Sequence, residues 1–186
     1  MEIFEVIKHT HADNQCFERV VGYPIKGKEV IAKGFGVTPY DKKAAIMQMR
    51  AVAEYWGNTW KTPICHIVLS FTRETAPTAE RALELALKIF APYIPNHQTL
   101  VGVHHAVRKS SDYHVHVVYS PTNFRNGAMM RGDNTGMFPI AQSTANLTGQ
   151  ACKYVVKPED KTKKEYHTVF YPKKAMKDLF AEYTNN

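Results

Sequence analysis

The sequence predicts an α+β fold: a central antiparallel β-sheet with helices packed on one face and a histidine-bearing hairpin on the other. Three observations predict it. Strand-like and helix-like stretches alternate without the continuous apolar runs of a buried parallel sheet. Two strand-like stretches, residues 99–107 and 113–119, are separated only by the polar connector Arg108-Lys109-Ser110-Ser111-Asp112, which is of hairpin length. At 186 residues and 44% hydrophobic, the chain can bury one real core but is short for two, so residues 1–186 form a single domain.

Charge and cysteine usage narrow the class. A net charge of +7 and a pI of about 9.3 favour an anionic partner, and nucleic acid fits best. Cys16, Cys65 and Cys152 are odd in number and widely spaced. They build neither a disulfide framework nor a Cys-x-x-Cys zinc site, which suits a reducing cytoplasm. No run reaches the length of a membrane span, and the acidic start Met1-Glu2-Ile3-Phe4-Glu5 is unlike a secretory leader. There is no internal repeat or low-complexity tract.

The elements follow in order. Residues 3–8 alternate weakly as a first strand. Asp13 or Asn14 can cap a short helix holding Phe17, Val20 and Val21, closed by Gly22. The stretch from Gly22 to Glu29 nearly spells a phosphate-binding loop. Glu29 stands where such a loop needs Ser or Thr, so that reading is rejected. A second strand covers residues 30–37. Asp41 caps a helix to about Tyr55, with Ala45, Met49, Val52, Ala53 and Trp56 as its apolar stripe. In a central strand over 63–71, Cys65, Ile67, Leu69 and Phe71 line one face and His66, Val68 and Ser70 the other. His66 is read as a structural histidine. From Thr75 a further helix places Ala79, Ala82, Leu83, Ala86, Leu87 and Phe90 on one side. After the hairpin, residues 121–139 form a loop rich in Gly, Asn and Arg, expected to lie just beyond the hairpin histidines and to touch substrate. A helix is expected within 144–154. A basic C-terminal segment covers about 153–186. Between residues 153 and 177 it has eight lysines against three acidic residues. Tyr154, Tyr166, Phe170 and Tyr171 are interleaved, a pattern that can track phosphates and stack bases.

The hairpin carries the chemistry. In Tyr113-His114-Val115-His116-Val117-Val118-Tyr119 the alternation projects His114 and His116 from one face. The preceding strand carries His104 and His105, one on each parity. One of them must therefore share the face of His114 and His116 in either register. A His-x-His strand is also a common surface or core feature; a third imidazole on the same face makes a ligand set for a divalent ion with positions left open. Such an ion can polarise a phosphodiester for attack by Ser, Tyr or water. A tyrosine, with its pKa of about 10, needs a cation or base nearby, and Lys26 and Lys28 follow Tyr23.

The order of these features resembles the relaxase (mobilisation nuclease) family of HUH single-strand DNA endonucleases over roughly residues 15–135. The matching pieces are Gly22-Tyr23 with Lys26 and Lys28; Gly36-Val37 through Ala44-Ala45 and Met49; His66 through Ser70-Phe71-Thr72-Arg73-Glu74 into the helix with Ala82; and His105 with His114-Val115-His116, followed by Ser120, Asn123 and Gly127. The resemblance implies that Tyr23 attacks the scissile phosphate, leaving a 5′-phosphotyrosyl link and a free 3′-OH. It implies that His105, His114 and His116 hold a divalent metal ion, Mg²⁺ or Mn²⁺. Lys26, Lys28, Arg108, Lys109, Asn123, Arg125, Arg131, Lys163 and Lys164 would then contact DNA. The implied partner is single-stranded DNA at a transfer origin, with accessory relaxosome proteins and a type IV secretion system, in the bacterial cytoplasm, for plasmid mobilisation and conjugation. Relaxases often continue beyond the nuclease, so the chain is expected to be the N-terminal part of a longer protein.

Two departures stand out. The family's His-x-Asp is here His105-Ala106-Val107, and the turn is two residues longer. Asp112 is a candidate substitute for the missing acceptor, and His104 is an alternative to His105. An even insertion keeps face parity, which favours His105. Two other readings remain: a rolling-circle replication initiator with the same chemistry, or a single-stranded nucleic-acid-binding module without catalysis.

Overall fold

The structure, a computed structural model, describes residues 1–9, 15–25, 31–59, 62–105, 113–158 and 164–173. The elements are β1 (Glu2–Ile7), α1 (Cys16–Val20), a 3₁₀ turn (Tyr23–Ile25), β2 (Ile31–Phe35), α2 (Lys42–Tyr55), β3 (Cys65–Ser70), α3 (Ala79–Phe90), a second 3₁₀ turn (Ile94–Asn96), β4 (His97–His105), β5 (Tyr113–Asn123), α4 (Asn134–Thr148), β6 (Cys152–Lys157) and β7 (Tyr166–Phe170). The strands form one sheet in the order β2-β4-β5-β3-β1-β6-β7. Every neighbouring pair is antiparallel except β1 with β6. That exception follows from α4, a crossover long enough to return the chain in the same direction. The α+β class with a central sheet is as the sequence predicts.

Alternation within the central strands sorts the core. Ile67, Leu69, Val101, Val103, Val115 and Val117 face α3 and α4, whose Ala82, Leu85, Ala86, Phe90, Met137, Ile140 and Ala141 are buried against them. Thr78 caps α3 by accepting from the Arg81 N–H, and Asp41 caps α2 through the Ala44 N–H. The opposite face is not left to the histidines alone. Leu100 and Val118 occupy it too, and they pack with Ala45, Ile46 and Met49 of α2 and with Phe17 and Val20 of α1. Helices therefore cover both faces, because apolar side chains stand on both; α1 and α2 close one end of the face that carries the histidines.

Three expectations are revised. The helix expected over 144–154 lies earlier, at Asn134–Thr148, capped by Asp133 and ended by Gly149 with φ 68°. Pro139 sits inside it, and a proline there disguises a helix as a loop. The segment 152–157 is instead β6. Tyr154 and Phe170, read as base-stacking rings, pack around Phe138 with centroids 5.2 Å from it. Among the described rings of the C-terminal segment, Tyr166 and Tyr171 are the exposed ones. Asp13 and Asn14, the expected caps of the first helix, lie outside the described residues.

Candidate functional site

The β-ladder decides which side chains meet. β5 pairs with β4 so that His114 faces His104 and His116 faces Gly102. It pairs with β3 so that His114 faces Ser70, His116 faces Val68 and Val118 faces His66. Partners in register share a face, so His66, His104, His114 and His116 all stand on one side of the sheet. His105 faces Tyr113 on the other side, the two rings edge to face at 5.6 Å. The parity argument that favoured His105 is thus corrected. Ladder partners here have equal parity, so His104 joins His114 and His116.

A hydrogen-bonded row crosses this face. His66 Nε2 lies 2.9 Å from His116 Nδ1, a diagonal contact between β3 and β5. His66 Nδ1 lies 3.1 Å from Nε2 of His9, just beyond β1. Both nitrogens of His66 are engaged, and Nδ1 of His116 is taken, so Nε2 of His116 is the nitrogen outside the row. Burial pushes the His66 imidazole down to about 2, with His116, His9 and His104 adding to the effect. Burial, then His104 and His114, pushes His116 down to about 3. Both rings are therefore neutral in the folded chain near pH 7.

Tyr23 reaches this face because of a missing side chain. A Cβ at Gly102 would sit 1.6 Å from the Pro24 carbonyl oxygen, so only glycine lets the 3₁₀ turn lie on β4. The Tyr23 ring then stands 4.9 Å from that of His66, 6.1 Å from His116 and 6.3 Å from His9, and it is 40% exposed. Sequence reasoning undervalued His66 and missed His9. The parity of His66 was legible on its own strand, but His9 comes close only through the pairing of Ile7 with His66.

No group of three His, Cys, Asp or Glu side chains is gathered as a ready metal site among the described residues. The donor chemistry nevertheless fits a divalent ion. His104, His114 and His116 are three imidazoles on one face, and the rings of His104 and His116 are 4.6 Å apart.

The expected DNA contacts fare unevenly. Lys26, Lys28, Arg108, Lys109 and Lys163, together with Asp112, lie outside the described residues. β5 runs on to Asn123, nine residues from His114 or roughly 30 Å of strand, and Arg125 lies two residues further on. The loop therefore starts at the far end of the strand, not beside the hairpin histidines. Asn123 accepts the Arg125 N–H at 2.9 Å. Arg131 is held by Asp133 Oδ2 at 2.6 and 3.2 Å, as part of the α4 cap. Lys164 is exposed.

The model of the family described as "Relaxase: MobA/VirD2-like, nuclease domain" matches residues 24–150. The match begins one residue after Tyr23 and includes His66, His104, His114 and His116. No curated protein and no solved structure matches the chain. With more than half of its 186 residues matched, the chain belongs to the relaxase family of MobA/VirD2-like nucleases, whose activity is DNA nicking in mobilisation.

Proposed function

We propose that the chain nicks one DNA strand at a transfer origin by transesterification, with Tyr23 as nucleophile and His104, His114 and His116 as holders of a divalent ion. One observation supports the reading above the rest: the Tyr23 ring lies among the rings of the histidine face, 4.9 Å from His66 and 6.1 Å from His116. The phenolic oxygen bonds to phosphorus and the bond to the 3′-oxygen breaks. The phenol loses a proton to solvent on its exposed side, and the departing 3′-oxygen gains one. The products are a 5′-phosphotyrosyl link and a free 3′-OH, which can later reverse the step and reseal the strand. His66 is too weak a base for the phenol proton; its part is to fix the Nδ1 side of His116. A bound ion would polarise the phosphate oxygens. Imidazole donors favour Mn²⁺ over Mg²⁺ in that role. The biological setting of this reading is conjugative export of a mobilised plasmid through a type IV secretion system, with accessory proteins at the origin.

The test is cleavage of labelled single-stranded oligonucleotides that tile the DNA beside the encoding gene, run on a denaturing gel with Mn²⁺, Mg²⁺ or EDTA. A metal-dependent protein–DNA adduct that disappears in Tyr23→Phe is the expected result. An adduct that survives Tyr23→Phe removes Tyr23 as nucleophile. Binding of every strand with no cleavage leaves a single-strand binding module.

A further inference from the structure

A cavity of about 500 Å³ opens beside Tyr23, lined by Arg19, Gly22, Tyr23, Ile25, Tyr40 and Lys42. Its walls come from α1, the 3₁₀ turn, the approach to α2 and the first residue of α2. Two of them are cationic. Lys42 Nζ lies 3.3 Å from where a Cβ of residue 22 would be, so a glycine at 22, the residue before Tyr23, leaves the ammonium room. Lys42 and Lys43 open α2, where the helix dipole disfavours cations, and the Asp41 cap is followed by no acidic side chain in the first turn. An anion in the cavity would reverse that penalty.

The third wall is conformationally unusual. Tyr40 has φ 66° and is the one non-glycine residue at positive φ among those described. A bulky residue in that region is strained by roughly 1–2 kcal/mol, and such strain tends to persist where the surroundings hold it in place. Here the Tyr40 hydroxyl accepts the Ala32 N–H at 2.9 Å and donates to the Ala32 carbonyl at 3.2 Å. The ring is thus fixed at both ends, yet it is 63% exposed. Capping the edge strand β2 accounts for the hydroxyl. It does not account for a rigid, bare ring facing a cavity shared with two cations and Tyr23.

We propose that this cavity is the subsite for a nucleotide adjoining the scissile phosphate of single-stranded DNA, its base stacked on Tyr40 and its phosphate held by Arg19 and Lys42. The proposal rests on the nuclease reading with Tyr23 at the cut. Aromatic stacking and lysine contacts are the general means of holding a single strand, and neither requires base-specific hydrogen bonds. The subsite therefore tolerates different bases and responds to their removal.

The test is photocrosslinking. Tyr23→Phe protein is irradiated with the cleaved strand carrying 5-iodo-2′-deoxyuridine at one position at a time, and adducts are mapped by mass spectrometry. A crosslink to Tyr40 from a nucleotide bordering the nick is expected; bound DNA whose border nucleotides crosslink elsewhere overturns the proposal. Should no strand be cut, a 15-mer oligothymidylate with one central iododeoxyuridine replaces it. In that case the loss of cleavage counts against the nuclease reading, while an adduct at Tyr40 still supports the subsite and its absence sinks it. Affinities by fluorescence anisotropy give a second readout. Tyr40→Leu should weaken binding on the order of tenfold, whereas Tyr40→Trp, which keeps a stacking ring but loses the Ala32 bonds, should bind nearly as wild type. Equal behaviour of the two variants would reduce Tyr40 to an edge cap. Lys42→Gln should lower the salt slope by about 0.7, one phosphate's worth; an unchanged slope removes Lys42 from the subsite.

Discussion

The Pro24 carbonyl rests directly on Gly102, at a point where any side chain on residue 102 would overlap it at 1.6 Å. This contact carries Tyr23 onto the histidine face. Gly102→Ala should push the 3₁₀ turn off β4 and destabilise the fold by about 1–3 kcal/mol, the usual range for overpacking. Strand cleavage should fall by tenfold or more even where thermal denaturation shows the chain folded. Full activity in a folded Gly102→Ala protein would show that Tyr23 need not sit where the turn holds it.

Metal affinity separates His104 from His105. Titration calorimetry with Mn²⁺ should show binding reduced well over tenfold in His104→Ala and changed less than about twofold in His105→Ala, because of these two His104 shares the face of His114 and His116 and His105 does not. The reverse ranking would restore His105 and contradict the ladder register.

If His116 holds the ion as proposed, His66 acts through its bond to His116 Nδ1. Removal of a partner that orients a ligand typically weakens metal binding by about 10–100-fold, and His66→Ala should fall in that range while Tyr23, the proposed nucleophile, is untouched. His66→Gln, which keeps one hydrogen bond to His116 Nδ1, should recover part of the loss. No difference between the two variants would argue that the contact at 2.9 Å is packing alone.

The same histidine makes stability depend on pH. Its imidazole is held at about 2 when folded, against an ordinary 6.5. Below pH 6.5 the unfolded chain takes up a proton that the folded chain refuses. The contribution is thus complete above pH 6.5 and shrinks as the pH falls toward the folded value. Between pH 7 and pH 5, urea denaturation should show His66→Gln losing about 2 kcal/mol less stability than wild type. Parallel losses would mean that His66 is protonated in the folded state.

Asn58 ties the segment after β5 to the end of α2. Its side chain is buried and donates to Thr122 Oγ1 at 3.3 Å and to the Gly127 carbonyl at 3.0 Å, while Gly127, at φ 72°, leaves room for the Trp56 ring. Asn58→Ala should destabilise by about 1–3 kcal/mol through the acceptors left unpaired. Limited proteolysis should then cut within residues 123–130 first. Cutting elsewhere would place the weak point outside this tie.

Much of this protein is legible in the sequence. Period-two alternation in residues 65–70 and 113–119 sorts the side chains of each strand onto two faces, because side chains on a strand can point only two ways. Asp41 marks a helix start because its oxygen satisfies a backbone N–H group, whereas the helix read from Thr75 begins only at Ala79, after its Thr78 cap. The pairing of His114 with His116 follows from spacing alone. The start of α4 was hidden, since Pro139 and two nearby glycines carry turn chemistry that tertiary packing overrides. The rings of Tyr154 and Phe170 looked available because composition does not tell a stacked core from a surface.

What only the tertiary structure decided is register and neighbourhood. Local spacing allowed either His104 or His105, and the ladder chose His104 because its pairing with His114 brings Val103 and Val115 to the buried face together. His9 and His66 are 57 residues apart, and they meet because β1 lies beside β3. Tyr23 arrives from a third direction through the space at Gly102. Residue type and spacing determined which groups the chain carries; their convergence depends on contacts between strands distant in sequence, which no local pattern encodes.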